Sequence, residues 1–297
     1  MKFEKLALIG CGLMGGSFAL ALKKAGLVTQ VMGYSASERT RHKALELGVI
    51  DAIAPSAADA VKDADLVLVA VPVSATQATF AAIAAHLSPQ VLLMDVGSTK
   101  CDVVAAAQAT LGERLPCFVP AHPIAGKEVA GVEHAQADLY QNRQLILTPQ
   151  ACNGLRKITQ AHHVWQAIGC QVISLSPEQH DATFAAVSHL PHLVAFALVN
   201  AVAQQPQGAD HLAMAGPGFR DFSRIAASDP AVWRDILLAN RVQVLHQSNL
   251  MRQALDRLED AMALGDASAL EQLIAQASQT RAQWRLGGLD PDLASQP

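Results

Sequence analysis

Four apolar residues, Leu6-Ala7-Leu8-Ile9, run straight into Gly10-Cys11-Gly12-Leu13-Met14-Gly15, and a second apolar stretch, residues 17–22, follows at once. A buried strand, a glycine turn and an apolar helix account for that order. In such a setting the three glycines divide the work. Gly10 permits the tight turn, Gly12 lets a pyrophosphate approach the main chain, and Gly15 lets helix and strand pack closely. The helix start adds unpaired N–H groups and a positive dipole. The stretch predicts a dinucleotide site built on Gly10, Gly12, Leu13, Met14 and Gly15. A glycine turn chosen only for packing is the other reading.

The next 160 residues keep alternating. Strand-like runs occur at residues 29–34, 65–73, 90–96, 144–149 and 170–174, with helical stretches such as 75–87 between them. That alternation implies a doubly wound parallel sheet, with ligands outside the strand C-termini. Val71 and Pro72, where one apolar run stops, join the candidate cofactor contacts. From about Leu175 the strand-like runs cease. Ser176-Pro177-Glu178 reads as an N-cap, a Pro at N1 and an acidic first turn. A long helix follows towards Gln204, with a kink or local break expected at Pro191. Residues 230–263 and 267–284 carry apolar side chains at helical spacing, and the tail from 287 reads as loose. The expected fold is therefore an α/β Rossmann-type dinucleotide-binding domain, residues 1–174, followed by an all-α domain, residues 175–297.

Composition narrows the partners. The net charge of -4 is scattered over 297 residues, with no basic stripe for nucleic acid or an anionic membrane. No uninterrupted apolar run approaches the ~18 residues of a membrane span. The N-terminus lacks a secretory pattern. The five cysteines form no C-x-x-C pair and read as reduced thiols, so a cytoplasmic location is expected. The apolar excess of the helical half predicts a homodimer.

Two strand-end loops hold candidate chemistry for a small-molecule substrate. His122, before Pro123, is placed in a loop opening toward the cofactor. It suits a general base near neutral pH, or a structural role at a strand end. Ser98, in the preceding loop, suits a hydrogen bond to a substrate hydroxyl or to the imidazole. In the helical half, Ser188-His189-Leu190-Pro191-His192 places two histidines around a proline, and one of them should face the interdomain cleft. No Cys or acidic ligand clusters beside them, so no metal site is expected. Arg220 and Arg224 lie four apart on one expected helix face and suit a carboxylate, or an intrahelical salt bridge.

Together these motifs resemble the prephenate/arogenate dehydrogenase family over nearly the whole chain. The resemblance rests on the glycine motif, Asp95-Val96-Gly97-Ser98-Thr99-Lys100, His122-Pro123-Ile124-Ala125-Gly126, Ser188-His189-Leu190-Pro191-His192, Gly218-Phe219-Arg220-Asp221 with Arg224, and Ser228-Asp229-Pro230 with Trp233-Arg234-Asp235. It implies oxidative decarboxylation of prephenate to 4-hydroxyphenylpyruvate, or of arogenate to tyrosine, with a nicotinamide cofactor. It also implies that His122 is the base, Ser98 its partner, His189 a substrate-side group and Arg224 the clamp for the ring carboxylate.

The chain departs from the family's NAD-using members at the end of the second strand. An Asp or Glu for the ribose is due there, and Ser35 stands in its place. Ser35, Ser37, Arg39 and Arg41 suit a 2′-phosphate, which favours NADP over NAD. A solvated helix start with Ser as N-cap is the alternative. Two rival functions are a 3-hydroxyacid dehydrogenase and a non-catalytic NAD(P)-sensing protein. The first should show a Lys in a glycine-rich helix of the second half, and none is visible. The second would not need Ser98, His122 and Arg224 together.

Overall fold

The structure, a computed structural model, describes residues 2–127 and 129–285. The loose tail expected from 287 lies outside them. The first strand, β1 (Phe3–Ile9), is the middle of a five-stranded parallel sheet. Around it lie β2 (Val28–Tyr34), β3 (Ala52–Ile53), β4 (Leu66–Val69) and β5 (Leu92–Asp95), in the order β3-β2-β1-β4-β5. Side chains of β1 alternate between faces, so both must be covered. Leu6 and Leu8 join a core with Phe18, Leu22 and Trp165, while Ala7 and Ile9 join one with Val67, Phe80 and Phe118. The covering helices are α1 (Leu13–Lys24), α2 (Glu38–Glu46), α3 (Ala57–Val61), α4 (Thr76–Ile83) and α5 (Cys101–Thr110). The helix expected over 75–87 is regular only through α4 and ends in a 3-10 turn at Ala84–His86.

Register sets the site. Ile9 stands opposite both Tyr34 and Val69, and Val69 opposite Asp95, so four strand ends are flush. The chain leaves β1 toward β2 and later returns to its other side at β4. The order therefore reverses beside β1, where such sheets bind ligands.

The expected single sheet stops at β5. Leu93 and Phe118 make one parallel bridge, and Val119 N–H still bonds Leu93 O. Pro120 has no N–H to extend that ladder. A separate three-stranded sheet follows, β6 (Ala121–Pro123), β7 (Gln144–Leu147) and β8 (Gln171–Ser174), with β6 antiparallel to β7. Between β7 and β8 runs α6 (Leu155–Ala167), whose Trp165 packs 4.8 Å from Phe18 and ties the two sheets together.

Beyond β8 everything described is helical. Helix α7 (Pro177–Phe184) starts with a Ser176–Gln179 capping box and Pro177 at N1. A π-helical turn, Ala185–His189, leads into α8 (Leu190–Ala203). The expected break at Pro191 takes this form: the widened turn accommodates the missing N–H without ending the helix. Pro177–Ala203 is therefore one 27-residue helical stretch, long and apolar enough to cross a membrane by length and composition. Its apolar residues do not form one uninterrupted run, because Glu178, Asp181, Ser188, His189 and His192 lie among them. Then come α9 (Gly208–Ala213), α10 (Pro217–Ser223), a 3-10 turn at Arg224–Ala227, α11 (Pro230–Ala239), α12 (Arg241–Ala263) and α13 (Ala267–Gln283). The run expected over 230–263 divides at Asn240, whose buried side chain donates to Asp181 O at 2.8 Å and contacts His189 Nδ1 at 3.1 Å.

Candidate active site

The glycine turn sits where the register places it, at the end of β1. Gly10 has φ +99°, and a Cβ there would meet Ala70 O at 2.2 Å. A Cβ on Gly15 would meet Gly10 O at 2.1 Å, so helix and turn touch backbone to backbone. Gly12 differs: a Cβ on it would meet nothing within 4 Å, and it lines a cavity of about 400 Å³. Leu13, Met14, Val71, Pro72 and Ser98 line the same cavity. Tyr140 is buried and donates to Met14 O at 2.6 Å, bracing the turn from behind. Bare main chain at a helix start, facing open space at the switch point, fits a dinucleotide pyrophosphate.

At the end of β2, Ser35 is half-buried, and Ser37 and Arg39 are exposed. Ser37 caps α2, its Oγ accepting from Thr40 N at 3.2 Å. Glu38 reaches His42 at 3.6 Å, and the Arg41 guanidinium lies over the Tyr34 ring at 5.5 Å. The cation beside the strand end is thus anchored by an aromatic face.

His122 lies on β6, opposite Ile146, and not in an open loop. Its ring is half-buried, and its Nδ1 is 2.8 Å from His180 Nε2. His180 Nδ1 is in turn 2.8 Å from Asp181 Oδ1. Burial above all, then the neighbouring His180, Lys100 and His189, holds the His122 imidazole well below its ordinary pKa. The strand is pinned from β5: Asp95 Oδ1 accepts Ala121 N, and Lys100 Nζ donates to Asp95 Oδ2 and Ala121 O.

A second cavity of about 460 Å³ is lined by His122, Lys127, Arg143, His192, Arg224 and Trp233, among others. Gly126, Lys127, Ser228 and Trp233 line both cavities, so the two are contiguous. Of the two histidines around Pro191, His192 faces this cleft. Its ring stacks on Trp233 at 3.5 Å, and its Nδ1 is 2.9 Å from Ser188 O. His189, to which the resemblance gave a substrate-side role, is 1% exposed and sits in the core against Asn240. The arginines also separate. Helix α10 ends at Ser223, so Arg224 turns into the cavity lining while Arg220 pairs with Asp221 on the exterior at 2.9 Å. Ser98 stands in the dinucleotide cavity, and the partner of His122 is His180.

Two family models divide this architecture. Residues 18–174 match the prephenate dehydrogenase nucleotide-binding domain, and residues 176–276 match the prephenate dehydrogenase dimerization domain. The chain belongs to the prephenate dehydrogenase family. It is 36% identical over 273 residues to a Bacillus subtilis prephenate dehydrogenase, covering 90% of this chain and 72% of that protein. It is 34% identical over 281 residues to a Zymomonas mobilis cyclohexadienyl dehydrogenase, covering 94% and 95%. The crystal structure of Aquifex aeolicus prephenate dehydrogenase, in complex with hydroxyphenyl propionate and NAD+, superposes with a TM-score of 0.89 at 34% identity, covering 95% of this chain and 99% of that one. Membership does not favour a 3-hydroxyacid dehydrogenase.

Within this prephenate dehydrogenase family fold, four side chains enter the site without having been singled out in the sequence. Arg143 and Lys127 add positive charge beside His122. His180 and Asp181 back its ring. The adjacent His-Asp pair, one turn into a capped helix, was the available signal. It pointed nowhere because its partner lies 58 residues away, on strand β6.

Proposed function

We propose that this protein catalyses the oxidative decarboxylation of prephenate to 4-hydroxyphenylpyruvate, of arogenate to tyrosine, or of both, a step in tyrosine biosynthesis. The observation that supports this best is one base, His122, in a cavity with three cations, Lys127, Arg143 and Arg224, opening onto the dinucleotide cavity. The nicotinamide cofactor, NADP in preference to NAD, supplies the hydride acceptor when bound, and Gly12, Leu13, Met14, Val71 and Pro72 would hold it.

His122 takes the proton of the ring 4-hydroxyl as C4 is oxidised, since a neutral imidazole is an acceptor. Ser98, on the wall of the dinucleotide cavity, hydrogen-bonds that hydroxyl. Arg224 grips the ring carboxylate as a permanent cation that has no proton to give it. Loss of that carboxylate as CO2 leaves an aromatic ring, which drives the reaction forward. His192, held against Trp233, lines the substrate's other side. Arg143 and Lys127 face the side-chain carboxylate.

A second copy of the chain completes the molecule. Val242, Leu245 and Met262 of α12 are each more than 60% exposed in the single chain, and most apolar residues of α8 are only half-buried. Those faces lie in the part that matches a dimerization domain, so we assign them to a homodimer. Five free thiols suit a reducing cytoplasm.

The deciding experiment is an initial-rate matrix of prephenate and arogenate against NAD+ and NADP+, followed by absorbance of the reduced nicotinamide. His122→Asn should lower kcat by roughly 10²–10⁴-fold and keep cofactor affinity. No turnover of either substrate, or near-normal turnover by the variant, would overturn the corresponding assignment.

A further inference from the structure

We propose that His180 and Asp181 form a relay that sets which nitrogen of His122 carries a proton and takes up its charge during turnover. This rests on His122 being the base. The donors and acceptors follow from one end. Asp181 Oδ1 accepts Lys100 N at 2.8 Å and Oδ2 accepts Cys101 N at 2.9 Å, both at the start of α5. Burial opposes ionisation of Asp181, but the His180 contact and these main-chain N–H groups hold its carboxyl below the ordinary value. An ionised carboxylate only accepts, so His180 Nδ1, 2.8 Å away, is the N–H.

Neutral His180 then has its lone pair on Nε2. That atom faces His122 Nδ1 at 2.8 Å, so His122 Nδ1 carries a proton. The lone pair of neutral His122 is left on Nε2, the ring's other nitrogen. When Nε2 takes the substrate proton, the Nδ1 proton passes to His180 Nε2. One proton enters, one moves, and the cation rests against Asp181. Phe184, 5.0 Å from the His122 ring, limits its rotation.

The surrounding charges make this partner count. Lys100 from the β5–α5 turn opposes a cation here and is neutralised by Asp95. His189 opposes it from the π-helical turn. Lys127, Arg143, Arg224 and His192 line the cavity side. Asp181 is the carboxylate that the relay touches. His180 and Asp181 both come from α7, so the helical half prepares a base that sits on the strand-bearing half.

The test combines ring-nitrogen NMR on histidine labelled with 15N and kinetics with prephenate. Near neutral pH the wild-type His122 signal, identified by its loss in His122→Asn, should show a protonated Nδ1 and an unprotonated Nε2. His180→Leu should mix the two tautomers and lower kcat by about 10²-fold. It should hold KM within about threefold and move the acid limb of kcat/KM. His180→Gln, whose Oε1 still accepts from Nδ1–H, should restore the tautomer and part of kcat. A protonated Nε2 in the wild type, or a wild-type kcat and pH profile in His180→Leu, would overturn the relay. If His180→Leu does not fold, the wild-type spectrum and His180→Gln decide. If the wild type turns over neither substrate, the function reading fails, and the ring nitrogens still decide the relay.

Discussion

Lys100 and Asp95 form an ion pair in which neither side chain is more than 3% exposed, and the pair holds both strand-end loops of the site. Asp95 Oδ2 accepts Gly97 N at 2.8 Å, next to Ser98, while Oδ1 accepts Ala121 N at 2.9 Å, next to His122. Lys100 Nζ closes the arrangement on Ala121 O at 2.9 Å. A buried carboxylate that loses its paired cation stays uncompensated in a medium of low dielectric. Lys100→Met keeps most of the stem volume and removes the charge. It should destabilise the protein by roughly 3–5 kcal/mol. Denaturant unfolding at neutral pH measures this, and a loss below about 1 kcal/mol would mean that water reaches Asp95.

Local pattern was enough for the glycine turn, the β1–α1 unit and the all-helical second half, because spacing and caps act within a few residues. The Ser176–Gln179 capping box is such a signal. The second sheet was not legible, since β6 is only three residues long and takes its partner from β7 across a loop. Nor was the choice between His189 and His192, which flank one proline with like surroundings. The π-helical turn before Pro191 sets which of them faces the cleft, and Asn240 and Trp233 then receive one each. Arg220 and Arg224 look equivalent at helical spacing until α10 ends between them.

His189 should make the protein acid-sensitive. Burial above all pushes its pKa down to about 4, with His180 and His192 adding to the effect and Asp181 opposing it. Its Nε2 is buried without a hydrogen bond of normal geometry, although the Ser98 main chain lies close enough to influence it. The folded pKa is below the unfolded value of about 6.5, so the unfolded chain binds more protons between the two. The contribution is full above pH ~6.5 and is lost as pH falls through about 4, roughly 3 kcal/mol in all. Urea unfolding of wild type and His189→Gln across this window should give a shallower slope for the variant. Parallel slopes would show that His189 does not titrate there.

Arg224 and Arg220 should part company in kinetics. Arg224→Ala removes the cation assigned to the ring carboxylate and should raise KM by roughly tenfold to 150-fold, equivalent to about 1.5–3 kcal/mol. Arg220→Ala breaks an exposed pair with Asp221, 74% and 70% exposed, and should leave KM within about twofold. Steady-state rates with prephenate compare them directly. The reverse ranking would move the carboxylate clamp to α10.

The end of β2 should favour NADP. A 2′-phosphate brings about two negative charges to a place where an Asp would repel it and leave its oxygens unpaired. Ser35 stands there with a hydroxyl to donate. Arg39 is exposed beside it, and Arg41 is held over the Tyr34 ring. Ser37 accepts from Thr40 N, and its O–H is left to donate beside Ser35 and the two arginines. Glu38, the nearby carboxylate that could take the ribose hydroxyls, is turned along α2 to His42. Ser35→Asp should therefore shift selectivity toward NAD, with repulsion of order 1–3 kcal/mol in a partly exposed site. The measurement is kcat/KM for each cofactor at saturating prephenate, in wild type and variant. A wild-type preference for NAD above about tenfold, worth 1.4 kcal/mol or so, would sink the assignment and point to Glu38 or a main-chain contact as the reader of the ribose.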